Sequence, residues 1–253
     1  MTNSIEPFLM SEIKDNCGVT RNFTSLHEEE SYNKNLKKLK DYKDGFYIDN
    51  DIIYKSNKFG HRSKYDYPPN EDYILVAGCS HSYGQGLHEE HRYSNLLEEH
   101  YGIPVLNIGT QGVGVNFIKD NLIQLLSSKY PLPKFMITQL PNFYRVTVDN
   151  FHLRASMVRG QSWFRPVNEG DLDAMMRYSI TSHRHLNYLL DDNNIPSFEF
   201  VWGNYHSYIP PGVYNDWDGT GDSFIDFGRD LDHPGIESNK KIFETIVEKG
   251  IIK

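Results

Sequence analysis

From Tyr73 onward, short apolar runs and helical periodicities take turns along the chain. Tyr73-Ile74-Leu75-Val76-Ala77 is a continuous apolar run, the pattern of a strand buried on both faces. Tyr93, Leu96, Leu97 and His100 then recur at helical spacing, and Gly102 supplies a stop. Val105-Leu106-Asn107-Ile108 reads as a second strand. Val115, Ile118, Leu122, Leu125 and Leu126 mark a second helix, which Pro131 closes. Phe135 to Leu140 is a third strand. A long helix is predicted from near Asp171 to Leu190, and Phe198-Glu199-Phe200-Val201 is a fourth strand. Ile242, Ile246 and Val247 share one face of a final helix. Strands alternating with helices predict right-handed crossovers and a parallel sheet.

Two stretches break this rhythm. Residues 1–70 are polar. The mixed charges from Leu26 to Gly45 predict a surface helix, the residues from Tyr47 to Ser63 short strands and turns, and Tyr67-Pro68-Pro69-Asn70 a punctuation. The expected organisation is an extension, 1–70, packed on a main domain, 71–253. Residues 203–229 combine Gly, Pro, Asn, Asp and aromatics without periodicity, which predicts a long loop on the active face.

Composition narrows the class. With 253 residues, 38% hydrophobic and 24% charged, the chain suits one sizeable α/β domain with an extension. A formal charge of -8 argues against a broad phosphate-binding surface, so no nucleic-acid partner is expected. No apolar run reaches membrane-spanning length. The N-terminus lacks a basic start followed by an apolar stretch, so the expected location is cytoplasmic, or virion-associated were the chain phage-encoded. Cys17 and Cys79 are the only cysteines, too few for a disulfide framework or a zinc pattern.

In open α/β sheets, ligands bind at the carboxyl ends of the strands. After the first strand stands Gly78-Cys79-Ser80-His81-Ser82-Tyr83-Gly84-Gln85-Gly86, where a strand-to-helix turn presents Ser80 to solvent and glycines allow close backbone approach. After the second comes Gly109-Thr110-Gln111-Gly112-Val113-Gly114, and after the third Pro141-Asn142-Phe143-Tyr144-Arg145. Near the C-terminus stands Asp230-Leu231-Asp232-His233-Pro234. Each piece alone is a common turn or surface motif; their order carries the information.

In that order the pieces resemble the SGNH/GDSL hydrolase family. Gly78-Cys79-Ser80 with Gly84 and Gly86 is similar to the family's first block, with Cys79 in place of the usual Asp. Asn107 to Gly112 resembles the second block. Asn142, here in Leu-Pro-Asn-Phe, stands where the third block supplies an Asn, and Asp230 to Pro234 resembles the Asp-x-x-His of the fifth. Upstream, Asn57 to Arg62 looks like an approach sequence of phage and bacterial members. The resemblance implies a three-layer α/β/α, flavodoxin-like fold. It also implies a Ser80–His233–Asp230 triad, an oxyanion hole of the Ser80 and Gly112 amides with the Asn142 side chain, and no cofactor or metal. Its family spacing favours Asp230 over Asp232 as the orienting acid.

The chemistry this implies is ester hydrolysis. A neutral Ser hydroxyl is a weak nucleophile and needs a base. His233 would accept its proton and return it to the leaving alcohol, while Asp230 fixes the imidazole tautomer. A small-molecule or glycan ester is the expected substrate, with Trp202, Tyr205, Tyr208 and Trp217 as stacking aromatics. Two alternatives stay open: an acyltransferase using the same triad, and a non-catalytic glycan-binding module of a phage or cell surface. The spacing of His81, His88 and His91 does not fit one helical face, so no metal is expected there. His183 and His185 are expected at the surface, Cys79 as a small buried residue, and Arg145, Arg154, Arg159 and Arg165 on a solvated face.

Overall fold

The computed structural model describes residues 6–8, 20–22, 52–70, 72–148, 151–154, 169–202, 208–215, 225–226, 228–229 and 233–252. Five described strands form the central sheet: β3 (Ile74–Ala77), β4 (Val105–Asn107), β5 (Phe135–Gln139), β8 (Ser197–Val201) and β9 (Tyr214–Asn215). They lie in the order β4-β3-β5-β8-β9, and every neighbouring pair is parallel. Two small antiparallel pairs accompany it, β1 (Thr20–Asn22) with β2 (Ile53–Lys55), and β6 (Arg145–Val148) with β7 (Phe151–Arg154).

Strand alternation sends side chains to opposite faces, and each face has its helices. Leu75, Ala77, Leu106 and Met136 meet Ile118, Leu122 and Leu125 of α3 (Val115–Leu126) and Leu186 and Leu190 of α4 (Glu169–Asp192). Ile74, Val76, Val105, Phe135, Ile137 and Phe200 meet Leu97 of α2 (Tyr93–Tyr101) and Ile242 and Ile246 of α5 (Ile236–Glu248). The result is the three-layer α/β/α fold with a parallel sheet. A four-residue helix, α1 (Ser80–Tyr83), follows β3 directly.

Several described residues of the first 70 pack against this domain. Phe8 and Phe59 join the α3/α4-side core, with ring centroids 5.9 Å apart, edge to face. Ile52 and Tyr54 pack with Tyr83 and Leu87, which follow the turn of Ser80. The surface helix expected between Leu26 and Gly45 lies outside the described residues.

Two expectations are corrected. His183 is 6% exposed, not a surface residue. It shares the inward face of α4 with Leu186 and Leu190, and its Nε2 lies 2.8 Å from Glu199 Oε2 of β8. His185, two positions on, is exposed. Within the expected long loop, Tyr214–Asn215 forms the short strand β9 beside β8.

Candidate active site

The chain leaves β3 for β4 on one side and then crosses to β5 on the other. In such a sheet a crevice opens at the carboxyl ends where the connections diverge. Ser80 lies there, just beyond β3, and Asn142 just beyond β5.

Local hydrogen bonds build the turn of Ser80. The amide and the thiol of Cys79 both donate to Gln139 Oε1, each at 3.0 Å. The Gln139 amide nitrogen in turn donates to the Leu140 carbonyl at 2.7 Å. A buried Gln thereby ties the end of β3 to the end of β5. Cys79 is 1% exposed, small and buried as expected. Beyond Ser80, the Gln85 amide donates to the Ser80 carbonyl at 3.1 Å and α1 ends on Gly84 at φ 72, a left-handed conformation that favours glycine. Ser82, the neighbouring hydroxyl, is 0% exposed and 2.7 Å from the Tyr93 hydroxyl, so it faces the core rather than the crevice.

The second loop is set by Asn107. Its Oδ1 accepts the Gly109 amide at 2.8 Å and its Nδ2 donates to the Ser82 carbonyl at 2.7 Å, joining the loop after β4 to α1. The Thr110 amide donates to the Gly78 carbonyl at 3.0 Å. Gln111 Nε2 donates to Gln85 Oε1 at 2.9 Å, bridging the two loops again. Gly112 is buried, with φ 78. Asn142 begins a turn in which its Oδ1 accepts the Tyr144 amide at 2.9 Å and its carbonyl accepts the Arg145 amide at 3.0 Å. With Oδ1 engaged as an acceptor, Nδ2 is the donor end of that amide.

His233 arrives from the far end of the chain. Its Nε2 lies 2.8 Å from Ser80 Oγ, across a separation of 153 residues. The approach is fastened by backbone: the Gly228 amide donates to the His233 carbonyl at 2.8 Å, and the Arg229 amide to the Gly86 carbonyl at 2.9 Å. Pro234 and Gly235 follow, and α5 starts at Ile236. Beside the pair stands His81, edge to face with His233 at 5.4 Å and with Trp202 at 5.6 Å. A serine hydroxyl in contact with an imidazole nitrogen can be deprotonated as it attacks.

Among the other expected site residues, Trp202 needs correction. It is 0% exposed and packs against Phe200 at 5.1 Å and Tyr93 at 5.8 Å. It continues the inward alternation of β8 from Phe200 into the α2/α5-side core, so it has no free face for a ligand. Tyr208 is half-buried and edge to face with Phe143 at 5.4 Å. Asp230, Asp232, Tyr205 and Trp217 lie outside the described residues. Among the described residues, no His, Cys, Asp or Glu cluster of three or more could hold a metal, and no helix is long and apolar enough to cross a membrane. Sequence reasoning passed over Gln139 and Asn107. Their signal was a polar residue inside an otherwise apolar strand run.

No family model matches the chain, and no curated protein matches it. Solved structures do resemble it. One is a psychrotrophic esterase from Pseudoalteromonas, in a form inhibited by monoethylphosphonate: 16% identical, TM-score 0.45, covering 70% of this chain and 96% of that one. Another is a family two carbohydrate esterase from Clostridium thermocellum in complex with cellohexaose: 15% identical, TM-score 0.44, covering 74% and 67%. A third is an SGNH-hydrolase family esterase: 17% identical, TM-score 0.34, covering 72% and 84%.

Proposed function

We propose that the protein is a serine esterase of the SGNH/GDSL kind that cleaves a carboxylic ester through an acyl-enzyme. The observation that carries this reading is the 2.8 Å contact of His233 Nε2 with Ser80 Oγ at the carboxyl edge of the parallel sheet. Ser80 Oγ attacks the acyl carbon while its proton passes to His233 Nε2. The resulting oxyanion is held by the Ser80 and Gly112 amides and by Asn142 Nδ2, each such donor lowering the barrier by about 3–4 kcal/mol. The tetrahedral species collapses, the ester C–O bond breaks, and His233 returns the proton to the departing alcohol. Water then attacks the acyl-enzyme, giving its proton to His233, and Ser80 leaves with that proton as the free acid forms. Asp230 orients the imidazole and stabilises its cation.

For the substrate we assign an O-acyl group, acetyl first, on a carbohydrate. The aromatic-rich segment that contains Tyr205, Tyr208 and Trp217 supports this assignment, because sugar rings stack on such side chains. The test is p-nitrophenyl acetate turnover and fluorophosphonate labelling of the wild-type chain and of Ser80→Ala, followed by a panel of acetylated glycans. The expected result is hydrolysis and labelling at Ser80 that both vanish in the variant. Hydrolysis that survives Ser80→Ala would sink the nucleophile assignment. Turnover of simple esters with none of the glycans would sink the carbohydrate assignment alone.

A further inference from the structure

The loop that follows the turn of Ser80 and the loop after β4 are both bonded by one short segment from the first 70 residues. Asn57 to Ser63 is a self-bonded loop. Asn57 Oδ1 accepts the amides of Phe59 and His61, each at 3.0 Å. The Asn57 amide donates to the His61 carbonyl at 2.8 Å, and Asn57 Nδ2 to the Tyr65 carbonyl at 2.9 Å. From this loop two consecutive side chains enter the interior.

Arg62 is 1% exposed, and its guanidinium lies 4.0 Å over the Tyr54 ring. Its Nη1 donates to the Gly84 carbonyl at 2.5 Å and its Nη2 to the Leu87 carbonyl at 2.7 Å. Those carbonyls bracket the loop that leaves the turn of Ser80, whose Gln85 amide bonds the Ser80 carbonyl. The Arg62 carbonyl also accepts Nη1 of Arg92 at 2.6 Å, and Arg92 is itself 2% exposed. Burial and the Arg62 cation push Arg92 down to about 9. Two guanidinium groups side by side in an interior are costly unless well bonded.

His61 is 0% exposed, and its Nδ1 lies 3.0 Å from Thr110 Oγ1. That hydroxyl also lies 3.3 Å from the Ile108 carbonyl, so His61 and the residue that follows β4 meet on the Thr110 side chain. Thr110 belongs to the loop that leads to Gly112.

We infer that His61 and Arg62 are positioning residues for catalysis, holding the Ser80 turn and the Gly112 loop at the spacing an oxyanion needs. This rests on Ser80 being the nucleophile. The loop acts through backbone carbonyls and a hydroxyl and does not touch the reacting atoms. Its guanidinium is two-pronged, so an ammonium at the same place reaches one carbonyl and not both.

The test compares the whole chain with Arg62→Lys, Arg62→Ala and Thr110→Val, reading kcat and KM for p-nitrophenyl acetate, the rate of fluorophosphonate labelling at Ser80, and the thermal midpoint. Misplacing donors lowers turnover rather than ground-state binding, so kcat should fall roughly 10- to 100-fold in Arg62→Lys with KM nearly unchanged. Labelling should slow by the same factor. Thr110→Val keeps the volume and loses the hydroxyl that meets His61, and should show a smaller fall of the same kind. If Arg62→Ala folds, millimolar guanidinium should restore part of its kcat; a merely structural role would show no such recovery. Folded Arg62→Lys and Thr110→Val with wild-type kcat and labelling rates would overturn the inference while leaving the nucleophile reading intact. Absence of Ser80 labelling in the wild-type chain would overturn both.

Discussion

The amide and the thiol of Cys79 converge on a single atom, Gln139 Oε1, each at 3.0 Å. Gln139 is 0% exposed, so this oxygen has exchanged water for two donors from the residue that precedes Ser80. Replacing Gln139 by Met keeps the volume and strands a buried amide. A buried donor left unpaired costs about 1–3 kcal/mol. Gln139→Met should therefore lower stability by an amount in that range, read from urea midpoints, and lower kcat as the turn relaxes. Cys79→Ser, which keeps a donor toward Gln139, should cost less on both counts. Equal losses in the two variants would mean that the shared acceptor is not what orients the turn.

The pH profile follows from the Ser80–His233 contact. His233 must be neutral to accept the Ser80 proton, so protonation of the imidazole removes activity. The rate of p-nitrophenyl acetate hydrolysis should therefore be lower in acid than on the alkaline side. Asp230→Asn should lower kcat by orders of magnitude through the wrong imidazole tautomer, with KM little changed. Asp232→Asn should leave kcat near the wild-type value. Reversed effects would make Asp232 the orienting acid.

Legibility in the sequence tracked the range of the interactions involved. β3 and β5 could be read because strands covered on both faces are largely apolar, as Ile74 to Ala77 and Phe135 to Ile137 are. α3 could be read because Ile118, Leu122 and Leu125 repeat at the helical period. Order along the chain also brought Ser80 and His233 forward together. His183 stands three and seven positions from Leu186 and Leu190, and that spacing, not its neighbour His185, decides which face of α4 it occupies. Its partner Glu199 comes from another element, which no local period reports. The grip of Arg62 on Gly84 and Leu87 is hidden for the same reason. β9 has two residues, too few to show an alternation. Trp202 reads as a loop aromatic until β8 is seen to run into it.

Gly109 shows how closely the two loops are fitted. A Cβ there would lie 2.7 Å from the Tyr83 nitrogen and 2.8 Å from the Ser82 carbonyl carbon, both backbone atoms of α1. Neither can swing aside as a side chain could. Gly109→Ala should force α1 away from the loop, costing about 1–3 kcal/mol, as overpacked sites do, and reducing kcat as well. Gly102→Ala provides the comparison, since a Cβ there meets nothing within 4 Å, although its φ of 64 adds some strain of its own. Thermal midpoints and kcat should separate the two: both variants lose stability, and only Gly109→Ala loses turnover. Unchanged kcat in a destabilised Gly109→Ala would show that the contact serves the fold and not the site.

Two deeply buried phenols should weigh on stability at alkaline pH. Burial raises the ionisation of Tyr73 and of Tyr93 well above the ordinary range. Tyr73 donates its proton to the Pro131 carbonyl at 2.9 Å, and the Tyr93 hydroxyl lies 2.7 Å from Ser82 Oγ in the α2/α5-side core. For a phenol raised in the folded state, the unfolded chain loses its proton first. Stability from each is thus fully present below the ordinary phenol value of about 10 and declines as pH climbs above it. Urea midpoints should be flat in this respect from pH 7 to 9 and fall steeply by pH 11. Tyr73→Phe removes one of these two groups and should reduce the fall, at the cost of a hydrogen bond worth about 1 kcal/mol at neutral pH. Tyr93→Phe should flatten it too and also loosen Ser82, the residue whose carbonyl holds Asn107. If neither variant changes the alkaline slope, other groups control that limb, and the burial of these hydroxyls is not what limits the fold at high pH.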